Sequence, residues 1–204
     1  YSGEIKSVIK RLFDIVLAFT GLLLLSPLLV LIAVLIKRDS TGPVFFRQER
    51  IGLHGKPFRI HKFRTMTVAQ PGIAMQITVG QDSRITKVGA FLRHYKIDEL
   101  PQLIDVLQGT MSLVGPRPEV PKYVALYPEA TKSIVLSVRP GITDLASIEY
   151  RSESELLGKS NNPEKTYIEE VMPAKLAYCV QYVQQQSLWL DIQIIARTFL
   201  AILK

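Results

Sequence analysis

An uncharged apolar stretch near the start constrains this chain more than any other feature. From Ile15 to Ile36 no side chain is charged, and about 20 apolar residues are enough for a helix to cross a hydrocarbon core of about 30 Å. Ser26-Pro27 lies near its middle, and a proline inside a helix removes a backbone hydrogen bond and kinks the rod. Basic residues flank both ends, at Lys6, Lys10 and Arg11 and at Lys37 and Arg38.

The two basic flanks bear on how this helix lies in a membrane. Positively charged flanks stay on the cytosolic side, which favours a re-entrant helix that enters, breaks at Ser26-Pro27 and returns. Carbonyl groups freed at the break could accept hydrogen bonds from the Ser26 hydroxyl or from neighbouring protein groups. A spanning helix and a buried core helix are the alternatives. We therefore expect a re-entrant membrane hairpin over residues 1–38 and a cytosolic domain over residues 39–204.

Asp98 and Glu99 are the first candidates for chemistry. Asp98 is a good N-cap, and Pro101 is tolerated in a first turn, so the sequence predicts a helix that begins at Asp98. Its dipole favours both side chains as anions. Candidate anion binders surround the pair in sequence, at Arg93, Lys96 and Arg117. This pattern suggests phosphate chemistry, in which carboxylates hold Mg²⁺ or attack phosphorus and arginines hold phosphate oxygens. Capping acids beside a solvated basic face are the alternative.

Two kinds of segment add further basic side chains. Pro57–Met66 alternates apolar and basic residues, which predicts a half-buried strand with a basic strip at Arg59, His61 or Lys62, and Arg64. Turns rich in proline and glycine carry Arg117 and Arg139, and turns that each present one arginine can form a preorganised phosphate clamp. A solvated hairpin face is the alternative for the strand. Few aromatic residues accompany its cations, so we expect no nucleic-acid partner.

Composition indicates where such a chain acts. The balance of 25 basic against 18 acidic residues gives +7 and a pI near 9.5, which favours an anionic partner such as phosphorylated molecules or anionic lipid. Cys179 is the only cysteine, and a chain without an internal disulfide fits a reducing, cytosol-facing location. The mean hydropathy of +0.19 is high for a basic soluble protein and indicates membrane contact.

The remaining periodicity predicts an α+β fold that is mostly helical, with a small β-hairpin or sheet. Helices are expected over Ile85–Tyr95, from Asp98 to a stop at Gly109, over Tyr123–Leu136, over Pro163–Gln185 with an interruption at Pro173, and over Ser187–Lys204. A loop is expected over Val68–Asp82. The last helix has an apolar stripe that includes Trp189, which suits a helix lying in the membrane interface. Packing on the chain's own core is the alternative.

Several common sites are absent from the sequence. There is no Gly-x-x-x-x-Gly-Lys-Ser/Thr phosphate loop, no Gly-x-Gly-x-x-Gly dinucleotide turn and no Asp-x-Asp pair. The histidines, His54, His61 and His94, lack metal-ligand spacing, which argues against zinc.

Six segments in order carry a family resemblance. They are Lys10–Ile15 with Ser26-Pro27, Phe46–Gly52, Lys62–Met66, Ile97–Leu103, Met111–Pro118 and Val138–Thr143. With these segments the chain resembles the bacterial sugar transferases, also called monotopic phosphoglycosyl transferases. The matched length is that of the minimal catalytic core.

The resemblance implies a function and a set of roles. It implies transfer of a sugar-1-phosphate from a UDP-sugar to polyprenyl (undecaprenyl) phosphate with Mg²⁺, through an aspartyl-phosphosugar intermediate and with release of UMP. This would be the first membrane step of glycoconjugate assembly, at the cytosolic face of the bacterial inner membrane. Asp98 would be the nucleophile and Glu99 its metal or proton partner. Substrate contacts would come from Lys62, Arg64, Arg93, Arg117 and Arg139.

Some positions depart from the family pattern. Asp105 stands where asparagine is frequent, Thr110 where an acid is frequent, and Asp144 where glycine is frequent. Their roles, the identity of the sugar and the oligomeric state are open, a homo-oligomer included. A catalytically inactive anion-binding or scaffold protein attached to the membrane is the alternative function.

Overall fold

The computed structural model describes residues 2–67 and 82–203 and has the expected α+β, mostly helical fold. The predicted loop Val68–Asp82 lies outside these residues except for Asp82. The helices are α1 (Ser2–Asp39), α2 (Lys87–His94), α3 (Gln102–Gln108), α4 (Pro121–Val124), α5 (Glu129–Val135), α6 (Leu145–Glu149), α7 (Glu153–Gly158), α8 (Pro163–Thr166), α9 (Met172–Gln185) and α10 (Leu188–Leu203). The strands are β1 (Phe45–Phe46), β2 (Glu49–Ile51), β3 (Pro57–Arg59), β4 (Lys62–Phe63), β5 (Ser112–Val114) and β6 (Gly141–Thr143).

The strands form small two-stranded sheets. β1 pairs with β4 and β2 with β3, both antiparallel, whereas β5 pairs with β6 in parallel. The single strand predicted over Pro57–Met66 is therefore divided into β3 and β4, which have different partners. The division lies at Ile60 and His61, where the Ile60 side chain enters the core and the His61 backbone N–H donates to a side chain of α3.

Helix α1 is continuous through Ser26 and Pro27, so the expected break of the helix is wrong. The reason lies in one hydrogen bond. Pro27 cannot donate the N–H that would normally reach the carbonyl four residues earlier, at Leu23. The Ser26 hydroxyl donates to that carbonyl at 2.8 Å instead. The prediction that the Ser26 hydroxyl satisfies a freed carbonyl is confirmed.

Both ends of α1 pack on the same domain. Near the start, Lys10 donates to Asp191 on α10 at 2.6 Å. Near the end, Asp39 accepts the backbone N–H of Val88 on α2 at 3.1 Å. Many apolar side chains between these two anchors are exposed, such as Leu23, Leu24, Val30 and Leu31.

The carboxylate pair does not begin α3. Ile97–Glu99 form a 3₁₀ turn, and Pro101 occupies the N-cap position of the helix. The predicted start of the helix at Asp98 is therefore wrong, because the Asp98 carboxylate faces a lysine rather than the helix N–H groups. The predicted stop is confirmed, since Gly109 has φ of 89°, which favours glycine.

Helix α10 has two apolar faces. Ile194 is buried in a cluster with Val114 and Tyr182, so the helix packs on its own domain. Trp189, 69% exposed, and Phe199 lie on the outer face. The predicted stripe is therefore divided between the core and an exposed surface.

Candidate functional site

Asp98 and Glu99 are both buried, and one lysine reaches both. Asp98 is 2% exposed and Glu99 is 7% exposed. The Nζ atom of Lys62 on β4 lies 2.8 Å from Asp98 Oδ2 and donates to Glu99 Oε1 at 3.2 Å. The structure therefore brings together a cation and a carboxylate pair that are more than thirty residues apart in sequence.

Arg117 binds Glu99 from the turn that follows β5. Its Nη1 donates to Glu99 Oε2 at 3.1 Å, and its Nη2 donates to Oε1. Burial acts to raise the pKa of Glu99, but the charges of Arg117 and Lys62 outweigh it and hold this pKa well below its usual range. Pairing with Glu99 raises the pKa of Arg117. Glu99 is therefore an anion at neutral pH, with both oxygens bound by cations.

Asp98 differs from Glu99 in that one of its carboxylate oxygens has no hydrogen-bond partner in the described part of the chain. Its Oδ1 is buried and has no hydrogen-bond partner among the described residues. A buried carboxylate oxygen without a partner costs free energy, so such an atom calls for an explanation. This oxygen is the one atom of the pair that neither Lys62 nor Arg117 binds.

Lys96, a candidate anion binder from the sequence, has an unusual backbone conformation directly before the carboxylate turn. Its backbone is left-handed, with φ of 56° and ψ of 18°, which costs an L-residue about 1–2 kcal/mol. The residue as a whole is exposed. Nevertheless, desolvation of its ammonium group, followed by the charge of Arg117, lowers the pKa of Lys96. Its position directly before the carboxylate turn was the only sequence signal.

Asp105 anchors the strand that carries Lys62. Its Oδ2 accepts the backbone N–H of His61 at 2.7 Å, and its Oδ1 lies 2.7 Å from His61 Nδ1. Arg47 Nη1 lies 2.6 Å from the other ring nitrogen. The buried Asp105 therefore ties α3, next to the carboxylate turn, to the residue before Lys62. The hydroxyl of Thr110, another departure, donates to the Asp105 carbonyl at 3.1 Å.

Three arginines that were predicted to contact the substrate do not contact the carboxylate pair. Arg64 is buried and donates to the Ile36, Ser40 and Thr41 carbonyls, so it caps the end of α1. This placement also removes one cation from the basic strip. Arg139 Nε donates to the Gly109 carbonyl at 2.9 Å, beyond the far end of α3. The Arg93 side chain forms no hydrogen bond or ion pair with the described residues.

The carboxylate pair fits a Mg²⁺ ion. Mg²⁺ is held in proteins by one or two carboxylates together with substrate phosphates. Asp98 and Glu99 supply two carboxylates, and Asp98 Oδ1 is an open oxygen. Among the described residues no cluster of three or more His, Cys, Asp or Glu side chains could hold a metal, so the remaining ligands would come from substrate and water.

Two features indicate the class of protein: a helix of membrane length and a buried carboxylate pair among cations. Helix α1 is the one helix in the described part that is long and apolar enough to cross a membrane. The carboxylate pair lies among the cations Lys62 and Arg117. The chain matches the bacterial sugar transferase family over residues 5–204 and belongs to that family.

Known members share about two fifths of the sequence. The UDP-glucose:undecaprenyl-phosphate glucose-1-phosphate transferase of Klebsiella pneumoniae is 41% identical over 95% of this chain and 40% of its own length. The UDP-N-acetylgalactosamine-undecaprenyl-phosphate N-acetylgalactosaminephosphotransferase of Aeromonas hydrophila is 38% identical over 98% of the chain and 45% of its own length. The exopolysaccharide production protein PSS of Rhizobium leguminosarum bv. phaseoli is 39% identical over 94% of the chain and 93% of its own length. The chain thus spans less than half of the first two relatives.

Proposed function

We propose that this protein transfers a sugar-1-phosphate from a UDP-sugar to polyprenyl phosphate and releases UMP. The observation that carries the proposal is the unpartnered Oδ1 of Asp98 in a buried site with two cations. The names of the relatives support a nucleotide-sugar donor and an undecaprenyl phosphate acceptor.

The two carboxylates have different roles in this proposal. Both oxygens of Glu99 are bound by cations, so Glu99 holds Lys62 and Arg117 in place. Asp98 keeps one oxygen open, which makes it the nucleophile. A carboxylate that attacks an anionic diphosphate meets like-charge repulsion, and the two cations reduce it. Mg²⁺, held by the same pair when bound, supplies further neutralisation of the phosphate charge.

The reaction proceeds in two displacements at one phosphorus. Asp98 Oδ1 forms a bond to the phosphorus that carries the sugar, and the bond from that phosphorus to the UMP oxygen breaks, so UMP leaves with the electron pair. A phosphate oxygen of the polyprenyl phosphate then attacks the same phosphorus. The bond to Asp98 breaks, and its carboxylate is regenerated. Donor and acceptor therefore use one site in turn, which predicts ping-pong kinetics.

We infer that α1 enters and leaves the membrane on one side by kinking at Pro27 while it remains helical, which brings this site to the lipid. Lys10 and Asp39, near opposite ends of α1, both bind the same domain. These contacts support a topology in which both flanks of the helix lie on the same side of the membrane. A polyprenyl chain cannot leave the bilayer easily, since each buried CH₂ contributes about 0.8 kcal/mol. We place the domain on the cytosolic face of the inner membrane. Cysteines introduced as Ser7→Cys and Thr41→Cys should both resist a membrane-impermeant label added to intact cells; labelling of one alone would refute the hairpin.

The decisive experiment compares Asp98→Asn with a matched carboxylate-to-amide control, Glu129→Gln. Glu129 is an exposed residue on α5. Purified protein in lipid nanodiscs receives a panel of UDP-sugars, undecaprenyl phosphate and Mg²⁺, and released UMP is measured. Loss of a nucleophile should reduce turnover by at least about a thousandfold, while the control keeps wild-type turnover. Quenched wild-type protein should carry a phosphosugar on the peptide containing Asp98.

Two results would contradict the proposal in different ways. Equal UMP release by Asp98→Asn and wild type would remove the nucleophile assignment. Donor binding without Mg²⁺-dependent turnover, for every sugar in the panel, would instead favour an inactive anion-binding protein.

A further inference from the structure

Asp144 is a buried carboxylate that, among the described residues, binds only backbone N–H groups and a thiol. It is 2% exposed. Its Oδ1 accepts the N–H of Ser147 at 2.6 Å, which caps α6. Its Oδ2 accepts the N–H of Arg117 at 3.1 Å and lies 3.8 Å from Cys179 Sγ. No lysine, arginine or histidine of the described residues forms an ion pair with it.

The backbone N–H of Arg117 lies between two residues that have no N–H of their own. Pro116 and Pro118 have no N–H, so Arg117 carries the only backbone donor of this three-residue turn. That donor goes to Asp144. The contact therefore fixes the peptide plane from which the Arg117 side chain departs.

The ends of the turn are held independently. Gly115 N–H donates to the Thr143 carbonyl at 3.1 Å, and Gly141 N–H donates to the Pro116 carbonyl at 3.0 Å. The two glycines are so close that a Cβ on Gly141 would lie 2.1 Å from the Gly115 nitrogen. The parallel β5–β6 pair thus fixes where the turn begins, and Asp144 fixes its middle.

We propose that Asp144 is a positioning residue that sets the direction of the Arg117 guanidinium at the carboxylate pair. It connects α6 to the turn, and the turn's guanidinium binds both oxygens of Glu99. Its negative charge also stabilises the positive charge of Arg117. The inference deepens the proposed function and depends on it for the catalytic consequence.

Asp144 could have the purely local role of capping α6, and a substitution can separate this role from the positioning of Arg117. Serine is a good N-cap, so Asp144→Ser keeps an acceptor for Ser147 and removes the second oxygen, which binds Arg117. Asn162→Ala is the matched control, because Asn162 caps α8 through Lys165 N–H at 3.1 Å and is exposed. It removes a cap without contact to Arg117.

The kinetic test is a double-mutant cycle in UMP release. Asp144→Ser should lower kcat/KM by about ten- to a hundredfold, the cost of a misplaced charged group, while Asn162→Ala keeps the wild-type value. Arg117→Ala combined with Asp144→Ser should be no worse than Arg117→Ala alone. Wild-type kcat/KM in Asp144→Ser, or losses that multiply in the double variant, would overturn the inference.

A second measurement does not need activity. Hydrogen exchange of the Arg117 N–H takes place in the folded protein and is read afterwards from the proteolytic peptide that contains the turn. Exchange should be slow in wild type and faster in Asp144→Ser, with no change in Asn162→Ala. Equal exchange in all three proteins would overturn the inference even if no UMP were released by wild type. If Asp144→Ser does not fold, Asp144→Asn, which keeps the side-chain size and one acceptor oxygen, takes its place in both measurements.

Discussion

Ser26→Ala tests how α1 remains a continuous helix at Pro27. In wild type the Ser26 hydroxyl donates to the Leu23 carbonyl at 2.8 Å, and Pro27 has no N–H to replace it. The substitution therefore leaves one carbonyl without a donor in the apolar part of α1. Measured hydrogen bonds in membrane proteins contribute about 0.6 kcal/mol on average and reach about 1.7 kcal/mol. Because no second donor is close in sequence, we expect a loss of about 1–2 kcal/mol.

The loss should depend on the residue at position 27. In Ser26→Ala/Pro27→Ala the new alanine has an N–H that reaches the Leu23 carbonyl, so the cost of removing the Ser26 hydroxyl should fall close to zero when Pro27→Ala is the reference. The coupling between the two positions is then about 1–2 kcal/mol. Thr20→Ala is the matched control, since the Thr20 hydroxyl is exposed on α1 and forms no hydrogen bond with the described residues; it should change stability by less than about 0.5 kcal/mol.

Thermal unfolding in lipid nanodiscs, followed by circular dichroism, provides the measurement. For a chain of this size a loss of 1 kcal/mol corresponds to roughly 2–4 °C in Tm, so Ser26→Ala should unfold about 2–8 °C below wild type. Equal Tm values for Ser26→Ala and wild type would refute the reasoning. So would an equal effect of Ser26→Ala whether it is introduced into wild type or into the Pro27→Ala variant.

Two further predictions concern the site. Burial acts to raise the pKa of Glu99 in the folded state, but the charges of Arg117 and Lys62 outweigh burial and depress it. The stability that Glu99 contributes is therefore fully present above its unfolded pKa of about 4.3 and is lost as the pH falls below that value toward the folded pKa. The difference in Tm between wild type and Glu99→Gln should thus be largest near pH 7 and shrink below about pH 4; a constant difference would contradict it. Lys96→Gly should relieve the left-handed backbone and raise stability by about 0.5–1 kcal/mol, so a lower Tm would contradict the strain. Because the substitution also removes a candidate anion-binding cation beside the carboxylate pair, KM for the UDP-sugar should rise; an unchanged KM would contradict a contact between Lys96 and the donor.

Local patterns were sufficient for the parts of the fold that depend on neighbours in sequence. The glycine stop at Gly109 and the apolar stretch of α1 follow from backbone freedom and side-chain hydropathy, which sequence gives directly. The helix start at Asp98 could not be predicted, because Lys62, from a distant strand, competes with the helix N–H groups for its carboxylate.

The cations show the same limit. Lys62 and Arg117 were expected near the pair and contact it, but Arg64, in the same basic strip as Lys62, points to the end of α1. Alternation along a strand assigns faces, and it does not say what lies against each face. The left-handed backbone of Lys96 likewise has no sequence signature, since lysine, unlike glycine, does not favour a positive φ.

The sequence by itself determined that this chain has a membrane-length apolar helix, an acidic pair with basic turns, and the motifs of its family. Only the tertiary structure decided which oxygen of Asp98 is left open and which cations occupy the others. It alone assigned Asp144 to the backbone of Arg117. The physical reason is that burial and electrostatics depend on distances between segments far apart in the chain, and those distances exist only once the chain is folded.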